Sequence, residues 1–236
     1  MTRRKKILRQ NEEFANLKKE DYLKITFEIE NGVVAKDGFL FFDGILASCA
    51  IKRALKDDYV FVEENEFDFV DLPLYSKFFE VGGRSLRVFY ASHLKLGDRK
   101  TIDKWRKRFD DKFLRYCDTK VIDTQRGFFK SYNMPYTIYL VDKLTFCVKG
   151  NGEMVARLLR YLDGIGGLRK LGHGKIKSTK IEKVDYCEII RRIPTDNITP
   201  GQLLGIGAVT PPYFKNPFEV AYYIDTINKR FKIAKF

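Results

Sequence analysis

The sequence predicts an α+β fold of the ferredoxin-like (RRM-like) kind, an antiparallel sheet with helices on one face. A basic helical or hairpin insertion and a glycine-rich loop are added to it. Three observations predict this. Apolar periodicity alternates between two and 3.6 residues in the order β-α-β-β, then β-β-α, glycines, β. The 236 residues are 44% apolar and 14% aromatic, enough for a real core and unlike a disordered chain. A glycine-rich stretch then separates the last helical pattern from the last strand pattern.

Residues 1–20 are basic and weakly patterned, and read as a flexible arm before a domain spanning 21–215. From Tyr22 to Glu30, apolar and polar residues alternate as in a half-buried strand that ends at Asn31-Gly32. Asp43 is suited to cap a helix with Ile45, Leu46, Cys49, Ala50 and Ala54 on one face. Tyr75–Val81 and Ser85–Tyr90 read as strands joined by a Gly82-Gly83 turn. An insertion is expected at about 84–130. Within it Ile102, Trp105, Phe109, Phe113 and Tyr116 recur at helical spacing over 101–116, with a charged face between them. Phe128–Val141 reads as extended, with Pro135 favouring an edge, and Leu144–Lys149 as a further strand. Met154, Val155, Leu158, Leu159 and Leu162 make a helical stripe over Glu153–Leu162. Gly174–Val184 is then a strand with one basic face, and residues 216–236 form a tail or a short helix over Phe218–Ile227.

Charge narrows the class of partner. The formal net charge is +13, which favours a polyanion. It is also segregated: Arg84–Lys130 carries fourteen Lys/Arg against six Asp, whereas Asp57–Asp71 has seven acidic residues and no Lys or Arg. The four cysteines are far apart, with no CxxC, and read as free thiols in a reducing compartment. No apolar run reaches the roughly 18 residues of a membrane span, and the N-terminus lacks the apolar core of a signal peptide. The expectation is a cytoplasmic protein with no membrane partner.

The stretch Gly164-Ile-Gly-Gly-Leu-Arg-Lys-Leu-Gly-His-Gly-Lys-Ile-Lys carries the most chemistry. Gly164, Gly166, Gly167, Gly172 and Gly174 allow sharp turns and close approach to a ligand, while Arg169, Lys170, His173, Lys175 and Lys177 supply positive charge. Backbone amides beside such side chains suggest a phosphate cradle. It is not a P-loop, because the order is helix, glycines, strand, and a GxGxxG fingerprint is absent. Catalytic groups are scarce. There are two histidines, of which His93 reads as structural, and no acidic pair stands in a metal-binding context: Asp110 and Asp111 diverge by ~100° on a helix. No catalytic residue, metal or cofactor is expected. Tyr90, Tyr116 and Tyr132 can stack on bases, although a place in the core or at its rim is the more usual fate of such residues.

These residues resemble the RAMP superfamily of CRISPR RNA-binding proteins, whose glycine-rich loop the stretch from Gly164 to Lys175 is similar to. Phe42-Asp-Gly-Ile-Leu-Ala, Lys130-Ser-Tyr-Asn-Met-Pro and Pro211-Pro-Tyr resemble motifs of its type IV members, with Phe214 where a tryptophan is more familiar. Over about residues 22–215 the chain looks like the type IV subunit that caps the 5′ end of the guide RNA. The resemblance implies a non-catalytic subunit that holds the guide RNA 5′ handle and abuts backbone and large subunits of an antiviral effector complex; contact with target DNA stays open. The loop glycines with Arg169, Lys170, His173 and Lys175 are the candidates for RNA-backbone contact, and Arg126, Lys130 and Tyr132 for the handle. Arg84, Arg87, Lys104, Arg106 and Arg108 are candidates for the remaining charge. The alternatives are a guide-RNA-processing endoribonuclease of the same superfamily, using His93, His173 or a tyrosine, and a mainly structural assembly subunit.

Overall fold

In a computed structural model, residues 2–35, 38–56, 58, 70–107, 123, 131–194, 204–207 and 220–226 are described. The N-terminal segment is not a free arm. Helix α1 (Arg3–Ala15) opens with the Thr2 hydroxyl accepting from the Lys5 amide at 3.4 Å. It buries Ile7, Gln10 and Phe14, which lie on one face. Gln10 Nε2 donates to the Ala50 carbonyl at 2.9 Å, and the Arg53 guanidinium lies over the Phe14 ring.

The central sheet is built on β1 (Asp21–Ile29), whose Leu23, Ile25, Phe27 and Ile29 are buried. The chain continues through β2 (Val33–Val34) and β3 (Phe39–Phe41) into helix α2 (Phe42–Leu55). Phe41, not Asp43, holds the cap position of α2; Asp43 lies in its first turn, and its Oδ1 accepts from the Gly44 amide. Strands β4 (Ser76–Val81) and β5 (Arg84–Phe89) form the expected hairpin, and β6 (His93–Lys95) pairs with β3. A ribbon follows, β7 (Lys100–Lys107) against β8 (Tyr132–Tyr139), with β2 on its other edge. Then come β9 (Lys143–Gly150), helix α3 (Gly152–Leu159), a 3-10 turn at Arg169–Leu171 and β10 (Ile176–Val184). β11 (Ile190–Pro194), β12 (Leu204–Gly207) and β13 (Val220–Thr226) make a separate antiparallel sheet.

β1 lies between β10 and β9, antiparallel to both. The outer edge of β9 is occupied by backbone flanking the β4–β5 hairpin. Tyr75 N donates to Lys149 O at 2.8 Å, Lys149 N to Tyr90 O at 2.9 Å and Ser92 N to Cys147 O at 2.8 Å. The order β1, α2, edge segment, β9, α3, β10 is compatible with the ferredoxin-like plan. The helices share one face of this sheet's core: Phe42 of α2 meets Phe146 of β9 at 5.4 Å between ring centroids, and Leu23, Val155 and Leu158 join the same cluster.

Two expected helices are strands where they are described. Residues 100–107 pair with β8 residue by residue, and 220–226 pair with both β11 and β12. Ile102 and Trp105 have helical spacing, but they lie on opposite faces of the ribbon and stay 69% and 41% exposed. Cross-strand pairing, not a buried stripe, fixes their conformation. Residues 108–116 lie outside the described part. Val88 and Phe89 are buried, so the solvent-facing excursion starts at β7 and not at Arg84.

Candidate nucleic-acid interface

Helix α3 aims the chain at the glycine stretch. Asn151 caps it, with Oδ1 accepting from the Met154 amide at 2.9 Å, and Met154, Val155, Leu158 and Leu159 pin one face to the core. The chain then turns back beside the start of β10 through an antiparallel bridge between Gly164 and Lys175.

The glycines here serve close packing of chain on chain. Gly174 has φ +66°, and a Cβ there would collide with the Ile165 carbonyl; Gly166 has φ +89°, and a Cβ would meet the Val34 carbonyl. The amides of Ile165, Gly167, Gly172 and Gly174 are engaged within the protein. Ile165 N donates to Gly174 O at 2.9 Å, Gly167 N to Val34 O at 2.7 Å, Gly172 N to Arg169 O at 2.9 Å and Gly174 N to Gly32 O at 2.7 Å. These four amides face protein carbonyls and are turned away from any ligand, so the positive charge of the loop is carried by its side chains. Arg169, Lys170, Lys175 and Lys177 are exposed. Lys175 pairs with Glu30 at 2.7 Å, and the hydrogen bond and charge of Lys175 hold that carboxyl below its usual range.

His173 is tied down. Its Nε2 lies 3.2 Å from the Tyr136 hydroxyl, and its Nδ1 lies 3.5 Å from the Asn31 carbonyl. The Tyr136 hydroxyl donates to Asp103 Oδ2 at 2.9 Å. The amide of Lys104 and then this hydroxyl hold the Asp103 carboxyl below its usual range, while desolvation and then Asp103 push the Tyr136 phenol up. A chain of polar contacts thus joins the loop to the ribbon.

The ribbon's two faces differ. One carries Asp103, Trp105, Tyr132, Met134 and Tyr136, the other Lys100, Ile102, Lys104 and Arg106. Trp105 and Tyr132 meet edge to face at 5.2 Å, and Met134 is 55% exposed. Of the sequence-derived candidates, the fold therefore gathers Arg169, Lys170, His173, Lys175, Tyr132, Lys104 and Arg106 onto the loop and ribbon. Arg84 and Arg87 sit apart, on the hairpin at the β9 edge of the sheet. Arg87 binds Asp71 at 2.9 Å and Ser76 Oγ at 2.8 Å, and stacks on Phe89, so its charge is committed to the fold. Arg108, Arg126, Lys130 and the Pro211-Pro212-Tyr213 motif lie outside the described residues. Tyr136, Asp103 and Asn31 were not singled out by sequence reasoning. The two-residue alternation of Tyr132, Met134 and Tyr136 was the available signal.

His93 has the structural place expected of it. It is 8% exposed beside Phe39 and Phe41, and burial followed by the charge of Arg192 lowers its pKa to about 4, leaving a neutral imidazole at neutral pH. The acidic stretch also has structural anchors: Asp58 pairs with Lys6 at 2.7 Å, and Asp71 with Arg87 and Lys19. Among the described residues, no helix is long and apolar enough to cross a membrane.

No curated protein matches the chain. Residues 79–224, from within β4 to within β13, match the family described as CRISPR type IV associated protein Csf3. That span takes in the ribbon and the whole glycine loop. The chain belongs to this family of type IV CRISPR-associated proteins.

Proposed function

We propose that this chain is a non-catalytic RNA-binding subunit of a type IV CRISPR ribonucleoprotein, a RAMP-type protein that caps the 5′ handle of the guide RNA in the cytoplasm. The observation that carries the reading is the Asp103–Tyr136–His173 link. It sets the loop cations beside an exposed aromatic ribbon. Single-stranded RNA is held by that combination, with cations tracking phosphates and aromatic rings stacking on unpaired bases. Arg169, Lys170, Lys175 and Lys177 take the backbone, and Trp105, Tyr132 and Met134 take bases. Its protein partners in this reading are the backbone and large subunits of the complex.

The test is guide-RNA co-purification and salt-dependent binding with Arg169, Lys170 and Lys175 neutralised together. Each lost phosphate contact reduces the log–log salt slope by about 0.7 on a single strand, so the triple variant is expected to lose RNA and flatten the slope. Retained RNA with an unchanged slope refutes the loop assignment.

One observation favours a second reading, an endoribonuclease. Tyr136 and His173 are adjacent ionisable groups of the kind that move a 2′-hydroxyl proton. Metal-independent cleavage of repeat RNA that disappears in His173→Ala would establish it.

A further inference from the structure

The helix-free face of the central sheet carries a second set of aromatic and cationic side chains, centred on the end of β1 opposite to the one that meets the glycine loop. Because strand residues alternate, burying Leu23, Ile25 and Phe27 against the helices turns Tyr22, Lys24 and Glu28 outward. On β9, burying Leu144, Phe146 and Val148 likewise turns Lys143, Cys147 and Lys149 outward. Register sets Tyr22 opposite Lys149 and brings Lys180 of β10 to the same face.

Aromatic rings and cations alternate along one end of this face. Tyr186, 45% exposed, meets Tyr22 at 5.5 Å between centroids. The Lys149 ammonium lies 5.2 Å from the Tyr22 centroid and 4.8 Å from that of Tyr75. Tyr75 then meets Tyr90 edge to face at 4.8 Å, and Lys77 approaches the Tyr90 ring at 6.0 Å. The contacts run without a break across the segment after β10, β1, β9 and the hairpin flank. Lys149 and Lys77 hold the Tyr22, Tyr75 and Tyr90 rings by cation–π contact, Tyr186 packs on Tyr22, and rings fixed in this way are platforms of small entropic cost.

We infer that this strip is a second single-stranded RNA site, on which unpaired bases stack on Tyr186, Tyr22 and Tyr75 while Lys24, Lys143 and Lys149 meet phosphates. The inference rests on the reading of the chain as an RNA-binding subunit and extends it to a face that reading does not use. RNA fits better here than a protein partner. Tyr22, Tyr75 and Tyr186 offer rings for stacking, and Lys24, Lys143, Lys149 and Lys180 outnumber Glu28 and Glu182 on this face, where Lys180 pairs with Glu182 at 2.8 Å.

The experiment is fluorescence anisotropy of the full chain with labelled oligouridine over a range of salt, beside ultraviolet crosslinking and peptide mapping. Tyr186→Ala is expected to weaken binding about fivefold or more at every salt concentration with an unchanged slope, because stacking releases no counterions. Tyr186→Trp keeps the platform and is expected to retain binding, with thermal unfolding of both variants like that of the parent. Crosslinks are expected on the peptides bearing Tyr22 and Tyr186. Wild-type affinity in Tyr186→Ala, equal losses in the alanine and tryptophan variants, or crosslinks confined to the loop and ribbon overturn the strip. The loop triple variant is read in parallel: if it alone loses affinity and slope, the strip fails and the loop stands, whereas if the loop and Tyr186 variants both bind normally, the RNA-binding reading itself fails.

Discussion

Two glycine-rich turns in this protein show how differently one residue type is used. At the tip of the β4–β5 hairpin, Gly82 and Gly83 have φ of +56° and +70°, and a Cβ at either would meet nothing within 4 Å. At the end of α3, Gly166 and Gly174 have similar positive φ values, but a Cβ at either would strike a backbone carbonyl. The hairpin glycines supply a dihedral that short polar residues also reach. The loop glycines let three chain segments close on one another, with Gly32 and Val34 receiving the amides of Gly174 and Gly167. The loop is thus a rigid mount for its cations.

Gly174→Ala should show the difference most strongly. Its amide and carbonyl are both bonded, to Gly32 and Ile165, so the backbone cannot step aside without losing a bond. Left-handed strain and the carbonyl clash together should cost roughly 3 kcal/mol or more, seen as a lower denaturant midpoint at constant m-value. RNA binding should fall with it, although every loop cation remains. An alanine variant as stable as the parent would show that the loop is pliable after all.

Gly166→Ala comes second, at roughly 2 kcal/mol. It faces the Val34 carbonyl and Val33 Cγ1, at the junction with the short strand β2, where less of the core must move. Faster exchange of the Gly167 amide, which donates to Val34, would locate the damage. Tyr136→Phe ranks third. It removes the hydroxyl between Asp103 and His173, and because water can replace these contacts the loss of stability should be smaller than at Gly174 or Gly166. If a fixed angle between loop and ribbon matters, RNA affinity falls in this variant by more than stability does; unchanged affinity would show that the two elements act independently.

The sequence was legible wherever burial alone set the pattern. β1, β9 and α3 read correctly because alternate or helically spaced residues face one core, and the β4–β5 hairpin because Gly82-Gly83 marks its turn. It was illegible where distant pairing decided. Ile102 and Trp105 fell at helical spacing while both stayed exposed, so no buried face enforced a period, and β8 set their geometry. In α1, the buried Ile7, Gln10 and Phe14 stand among basic and polar residues, and the partners that anchor them, Ala50 for Gln10 and Arg53 for Phe14, lie far along the chain. The glycine loop was conspicuous, yet the occupancy of its amides depends on Gly32 and Val34, more than a hundred residues away, and could not be read locally. Tyr136 and Asp103 escaped for the same reason: their meeting with His173 is a product of the ribbon's register.

The smallest expected effect completes the comparison. Gly82→Asn should change stability by no more than about 0.5 kcal/mol. Asparagine tolerates the left-handed region, and with Gly83 it makes the Asn-Gly pair that two-residue hairpin turns favour. The added side chain enters open space, and Gly82 lies at the tip of a strand pair whose register is fixed by Phe79 against Leu86 and Val81 against Arg84. Replacing glycine also reduces the entropy of the unfolded chain, which offsets part of the residual strain. Equilibrium unfolding of Gly82→Asn beside Gly174→Ala therefore separates the two costs of substituting a glycine at positive φ. The hairpin variant reports the dihedral alone, and the loop variant reports the dihedral together with the collision. Similar losses in both would mean that φ, and not the crowding of the loop by Gly32, Val34 and Ile165, sets the cost.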